Sequence, residues 1–278
     1  SLLSVHGIVN AIAIAIQAYT KPRDSIIIFS PVYHAISRVV KASGRRLIES
    51  PLAKGPTGKY TIDLEATSNR LDGNETMLIL CSPHNPGGRV WRQQELEQVA
   101  LFAERHNLMI ISDEIHHDLV YSDFTHIPFE KAVPSAKPFL VTLTSTTKTF
   151  NIAGMHTGNV IISDEKLRAK FKKVLLELAI SPSSFGIEMT TAAYNGGEEW
   201  LERLLVYLAE NKTMFDSIIN KIKGLESMPL EATYLCWVDY RALEMSLSEY
   251  KKKIESETQI AASYGETFGM GGDGHLRF

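Results

Sequence analysis

Five short runs rich in Ile, Val and Leu recur along the chain without polar alternation: SIIIF (25–29), TMLILC (76–81), LMIIS (108–112), FLVTLT (139–144) and NVIIS (159–163). Runs of that length and uniformity suit strands buried on both faces of a mostly parallel sheet. Helical patterns lie between them, at residues 32–43 and 92–106, where Leu96, Val99, Ala100 and Ala103 share one face. Strand, helix, strand is the repeating unit. The expected fold class is therefore α/β, a mostly parallel central sheet with helices on both faces. After 164–179 the rhythm changes to long helices, the last at about 198–223. EATYLCWVDYR (231–241) and the region up to the final HLRF then predict part of a smaller α+β domain. A boundary near residue 203 gives a large domain over 1–203 and a partial C-terminal domain over 204–278.

Composition excludes several classes. The 278 residues, 44% hydrophobic and 22% charged, are those of a globular protein rather than a disordered or fibrous one. A net charge of −3 offers no basic field for a phosphate backbone, so nucleic acid is not an expected partner. The longest apolar stretch, GIVNAIAIAIQAY, is interrupted by Asn10 and Gln17 and is shorter than the ~20 residues that cross a bilayer. It reads as a buried helix, and no membrane association is expected. Because it is apolar nearly all round, it needs cover on several sides, which we expect from a segment preceding Ser1 and from a second subunit. Cys81 and Cys236 lie far apart in apolar runs and read as reduced core thiols of a cytoplasmic protein. Ser1 opens in mid-pattern and the end is equally abrupt, so residues are expected beyond both ends.

In open α/β sheets, ligands sit beyond the carboxyl ends of the strands. After TMLILC comes SPHNPGG (82–88), after LMIIS comes DEIHHD (113–118), and after FLVTLT comes STTK (145–148). An amide, Asn85, a carboxylate, Asp113, and an amine, Lys148, are thus delivered to one edge of one sheet. Singly, each has an ordinary explanation: a turn former before Pro86, a helix N-cap, a solvated loop lysine. Together they match pyridoxal phosphate, which needs a lysine for a Schiff base and a carboxylate to keep its pyridine nitrogen protonated. The phosphate prefers backbone N–H groups at a helix start, and Gly7 stands directly before the apolar helix. Ser145, three residues before Lys148, offers a hydroxyl to the same phosphate. Tyr33, after another strand end, is either a ring-stacking or a structural tyrosine.

These residues carry a resemblance. In order along nearly the whole chain, GIVNAIAIAIQAYTKPRDSIIIFSPVY, CSPHNPGGRVW, ISDEIHHDLVY, STTKTFNIAG, TYLCWVDYR and HLRF resemble the fold type I pyridoxal-phosphate enzymes, the aspartate aminotransferase superfamily. Within it they resemble the MalY/PatB group of cystathionine β-lyase-like enzymes. The resemblance implies that Lys148 bonds the cofactor, Asp113 pairs with the pyridinium nitrogen, Asn85 donates to the ring hydroxyl and Tyr33 stacks on the ring. It gives the phosphate to the Gly7 and Ile8 backbone and Ser145, and the substrate carboxylate to Arg277, whose other reading is a surface arginine at a frayed end. His116 stands where many aminotransferases have a tyrosine that bonds the ring hydroxyl, and it points to the lyase group; its other reading is a satisfied core histidine. His116 and its neighbour His117 do not make a metal site, and no metal is expected. His156 occupies the place of a phosphate-binding arginine in aspartate aminotransferases, which leaves the phosphate's charge balance open.

The activity implied by the resemblance is β-elimination from a sulfur amino acid to pyruvate, ammonia and a thiol, with Lys148 taking the Cα proton. The competing reading is an aminotransferase of class I and II, which shares the same residues. A third is a regulatory module that keeps the fold as a ligand sensor. The resemblance also implies a homodimer with its active site at the interface.

Overall fold

Every expected strand forms, and each ends within two residues of its apolar run. The computed structural model describes residues 1–278. It opens with a strand that the apolar-run pattern does not reveal, β1 (Leu2–Val5), then α1 (Ile8–Tyr19), β2 (Ser25–Ser30), α2 (His34–Ala42) and β3 (Arg46–Pro51). There follow β4 (Glu75–Cys81), α3 (Gln93–Arg105), β5 (Met109–Asp113), β6 (Leu140–Thr144), the single-turn α4 (Thr146–Thr149), β7 (Gly158–Ile161) and α5 (Glu165–Glu177). Seven strands form one sheet in the order β1-β7-β6-β5-β4-β2-β3. The five from β6 to β3 run parallel. β7 pairs antiparallel with β6, and β1 with β7. The sheet is mostly parallel, as expected, with a reversed edge. β1 and β3 escape the sequence reading because edge strands are only half covered and carry polar residues.

Alternating side chains of the central strands feed two cores. Ile26 and Ile28 of β2 pack with Ile12 of α1, Ile36 of α2 and Phe171 of α5, whereas Ile27 and Phe29 pack with Leu96 and Phe102 of α3. Burial of a strand on both faces is what its uninterrupted apolarity predicts. The cover of α1 differs from expectation. Ala11, Ile12, Ile14, Ala15 and Ile16 are fully buried, and the covers are the sheet, α2 and α5 of the same chain. The uncovered apolar surface lies instead on α6 (Ser184–Gly196) and α7 (Glu198–Ile219). No residue of the 22-residue α7 is buried, and Phe185 on α6 is 77% exposed.

A second, antiparallel sheet of four short strands follows, in the order β8-β9-β11-β10: β8 (Glu226–Ser227), β9 (Trp237–Asp239), β10 (Ser263–Tyr264) and β11 (His275–Arg277). Residue 203 falls inside α7. Of EATYLCWVDYR only Trp237–Asp239 is a strand of this sheet. The residues before it are held by the large sheet's loops: Glu231 and Ala232 N–H both donate to the Gly88 carbonyl at 3.0 Å, and Thr233 N–H to that of Leu119 at 2.7 Å. Gly88 has φ +60°, and a Cβ there would stand 2.5 Å from Leu230 Cδ1; only glycine fits.

Glu231 fastens this crossing. Its side chain is fully buried and accepts from Arg89 at 2.9 Å, Lys59 at 2.8 Å, Arg92 at 3.1 Å and the Val90 N–H at 2.7 Å. Burial works to raise its pKa, but hydrogen bonds from Lys59, Val90 and Arg89 outweigh it and hold the carboxyl below the usual range. Removing Glu231 leaves the buried Arg89 guanidinium short of its partner and without water to replace it. Glu231→Ala is expected to destabilise the protein by about 3–5 kcal/mol in denaturant unfolding. Glu199→Ala, which removes only the exposed pair with Arg203, should change it by less than about 1 kcal/mol.

Candidate active site

Strands β4, β5 and β6 end side by side, since Cys81 pairs with Asp113 and Asp113 with Leu143. The first polar residues after each strand therefore meet. A cavity of about 190 Å³ beyond these ends is lined by Tyr33, Asn85, Asp113, His116, Lys148 and Arg277, among others. A second cavity of about 440 Å³ adjoins it, sharing Ile8, Tyr33 and Lys148 and adding Gly7 and His156. Of the ten residues singled out in the sequence, nine line one cavity or both; Ser145 lines neither.

Ser145 is buried as the N-cap of α4. Its hydroxyl accepts from the Thr147 N–H at 3.1 Å and donates to the Thr157 carbonyl at 2.6 Å. This cap turns the chain sharply after β6 and aims α4, with Lys148 on it, back over the sheet's edge. The Lys148 amine has no hydrogen-bond or ion-pair partner among the protein's groups, although it lines both cavities.

Asp113 is the last residue of β5 and is buried. One backbone N–H, that of Ile115 at 3.2 Å, reaches its carboxylate. Burial pushes its pKa up to about 7; the Ile115 N–H lowers it, Glu114 adds to the rise, and Lys148 pulls it down. It is a turn acceptor, not the cap of a regular helix. His116, also buried, has an Nδ1 with no partner and an edge-on contact with Tyr234 at 6.1 Å. Burial, aided by Lys148, Arg277 and His117, drives its pKa down to about 3, so it stays neutral. The unpartnered nitrogen does not fit a satisfied core histidine.

Arg277 is anchored rather than frayed, because β11 pairs with both β9 and β10. Its Nη1 donates to Asn85 Oδ1 at 3.0 Å and its Nη2 to Ser263 Oγ at 3.2 Å, while the guanidinium lies 4.8 Å from the centre of the Phe268 ring. Burial lowers its pKa from the usual arginine range, with Tyr33 and Tyr234 acting the other way; an arginine remains charged regardless. With Asn85 Oδ1 accepting from Arg277, the Asn85 amide group keeps its donors for the cavity. Tyr33 is tied to the same turn, its N–H donating to the Asn85 carbonyl at 3.1 Å. Gly7, with φ +80°, starts α1; no side chain caps the helix and its first turn carries no acid.

This geometry can be set beside known proteins. The family model for aminotransferase class I and II matches residues 1–278. The chain belongs to that family. Cystathionine beta-lyase PatB of Bacillus subtilis is 32% identical over 274 residues, covering 98% of this chain and 70% of the relative. A PLP-bound putative aminotransferase from Clostridium difficile 630 superposes with TM-score 0.96 at 37% identity, over 100% of this chain and 72% of that one. Cystalysin from Treponema denticola, whose structure contains pyridoxal 5'-phosphate, gives TM-score 0.94 at 31% identity, over 100% and 71%. The chain thus spans about 70% of the length of the relatives it matches.

Residues that the sequence does not single out also line these cavities, His6 among them. Tyr234 and Leu235 enter the smaller cavity and Arg38 the larger. Tyr234 and Leu235 lie in a run whose alternation reads as strand, which hides a loop pointing into a cavity. Arg38 is one of several basic residues on a surface helix, and nothing in its spacing separates it from the rest.

The Asp113 shift gives a pH prediction for the cofactor-free protein. Its folded pKa of about 7 exceeds the ordinary 3.8, so between those values the folded state holds a proton that the unfolded state has released. The stability this confers is present below pH ~4 and is lost as pH rises through ~7. The buried His84 and His116, both lowered to about 3, act oppositely as pH falls below 6.5. Comparison with Asp113→Asn cancels the histidines. Wild type should lose stability relative to that variant between pH 4 and 7.5, by up to a few kcal/mol, in thermal melts across pH.

Proposed function

We propose that this chain is a pyridoxal-phosphate-dependent carbon–sulfur β-lyase, releasing pyruvate, ammonia and a thiol from sulfur amino acids such as cystathionine. The observation that carries it is the meeting of the unpartnered Lys148 amine with the buried Asp113 carboxyl at aligned strand ends. The likeness to PatB, a cystathionine beta-lyase, supports this branch of the family, and DEIH with a neutral His116 agrees with it. The putative aminotransferase from Clostridium difficile keeps transamination as the second reading, since the same residues serve both to the point of Cα deprotonation.

The residues present fit the cofactor. A buried carboxyl that receives one backbone N–H and no cation suits a protonated pyridine nitrogen, which would draw its pKa back down. When bound, pyridoxal phosphate supplies an electron-withdrawing ring that stabilises negative charge at the Cα of an attached amino acid. Lys148 is the amine that would hold its aldehyde, and when free its Nζ would serve as the base for a substrate's Cα proton. Asp113 would hold the ring nitrogen's proton. Asn85 would donate to the ring hydroxyl, Tyr33 would cover the ring face, and Arg277 would offer its fork to the substrate carboxylate. Neutral His116 contributes an acceptor or donor beside Lys148 without adding a charge that would oppose the amine.

We assign the two-domain division at about residue 203 to the same reading, with the large sheet holding the cofactor and the small one carrying Arg277. The working form is a cytoplasmic homodimer completing its site across the interface, a reading supported by the uncovered apolar faces of α6 and α7. No helix is long and apolar enough to cross a membrane. Sedimentation of the full-length protein tests the dimer; a monomer at micromolar concentration contradicts it.

The chemistry is tested by supplying L-cystathionine to the full-length protein. Pyruvate and thiol should appear together, with little keto acid formed by amino transfer. Borohydride should fix the cofactor to the Lys148 peptide. Lys148→Ala should reduce turnover by at least about a thousandfold, from loss of base and nucleophile together. Amino transfer without pyruvate selects the second reading, and labelling at another lysine overturns the assignment.

A further inference from the structure

The larger cavity has a charge character of its own. Besides Lys148 it is lined by His6, His156 and Arg38, and no acidic residue reaches it. The imidazoles of His6 and His156 stack with centroids 5.2 Å apart and planes 12° from parallel. No side-chain hydrogen bond or ion pair of the protein engages Arg38 or either imidazole. Three groups with N–H donors and no protein acceptor thus share one cavity, next to the uncapped first turn of α1. Such a set fits an oxyanion of high charge.

We propose that Arg38 supplies the charge that holds the cofactor's phosphate, with the stacked His6–His156 pair as additional donors. The assignment rests on the cofactor reading above and answers what His156 alone leaves open. A phosphate monoester carries about two negative charges. Helix N–H groups match its oxygens but provide only partial charge. Lys148, engaged with the aldehyde, cannot also serve the phosphate. That leaves Arg38, whose planar fork suits two phosphate oxygens at once. It extends from α2, the helix that begins directly after Tyr33, so one element covers the ring face and reaches the phosphate. The histidines come from different elements, the segments flanking β1 and β7.

The test compares pyridoxal 5'-phosphate with pyridoxal, which lacks the phosphate. Full-length wild type, Arg38→Ala, Arg38→Lys and His156→Ala are titrated with each, following the absorbance of the Lys148 adduct at equilibrium. Arg38→Ala should weaken pyridoxal 5'-phosphate by about tenfold to a hundredfold and leave pyridoxal unchanged. Arg38→Lys should recover part of the loss, and His156→Ala should show a smaller loss with the same selectivity. Equal weakening of both ligands in Arg38→Ala, or no change in either, overturns the Arg38 assignment. Unchanged binding in His156→Ala overturns the role of the imidazole pair. Failure of wild type to form an adduct with either ligand overturns the cofactor reading itself, a result distinct from the others.

Discussion

A strand buried on both faces has no place for a charged side chain along its length, and ahead of their ends β5 and β6 admit only small hydroxyls such as Ser112 and Thr142. In β4, β5 and β6 this constraint pushes all chemistry to the point where the chain leaves the sheet. Parallel pairing then does the rest, because strands of equal direction and matched register release their chains at the same edge. Cys81, Asp113 and Leu143 stand in line across three strands, so Asn85, Asp113 and Lys148 are neighbours although 28 and 35 positions separate them in sequence. The cavity is a by-product of core packing, and the site inherits the rigidity of the sheet.

The second sheet completes what the first cannot. The large sheet's edge offers an amine, a carboxyl and an amide, but not the arginine proposed above to hold a substrate's carboxylate. Arg277 comes from the small sheet, and its placement depends on a crossing that runs through residues 230–235. Gly88 accepts two N–H groups there, and the buried Glu231 gathers three cationic side chains around the same turn. The Arg89–Glu231 pair at its centre is shielded from water and so is little affected by ionic strength. The position of Arg277 relative to Asp113 is therefore set by buried contacts rather than by surface pairs.

Much of this was legible in the sequence because burial leaves a strong pattern. Central strands, the order of elements and the residues at strand ends follow from uniform apolar runs, and the resemblance added roles to positions. Edge strands β1 and β3 were hidden by mixed exposure, and the direction of β7 is not encoded in its composition. The sequence places Ser145 beside a ligand, but in this fold its hydroxyl closes a turn, since capping α4 and facing the cavity compete for one small group. The cover of α1 by its own chain is not legible either, because sequence alone does not reveal how far α5 folds back. Glu231 and Arg38 were invisible for a different reason: Arg89 is 142 residues from Glu231, and a cavity wall has no sequence period.

The anchoring of Arg277 has a thermodynamic consequence. A free arginine side chain gives up about 1.5–2 kcal/mol of rotamer entropy when it is ordered. Here Asn85 Oδ1, Ser263 Oγ and the face of Phe268 already restrain the guanidinium. That disorder is lost when the chain folds, not when an amino acid arrives. In the role proposed for Arg277, an incoming carboxylate would meet a fork whose orientation is decided in advance, so most of the attraction between them would remain as affinity. An analogue with its acid group displaced by a single bond length would meet the same fork at the wrong angle, and the stiffness that favours the fitting substrate would then discriminate against its near relatives.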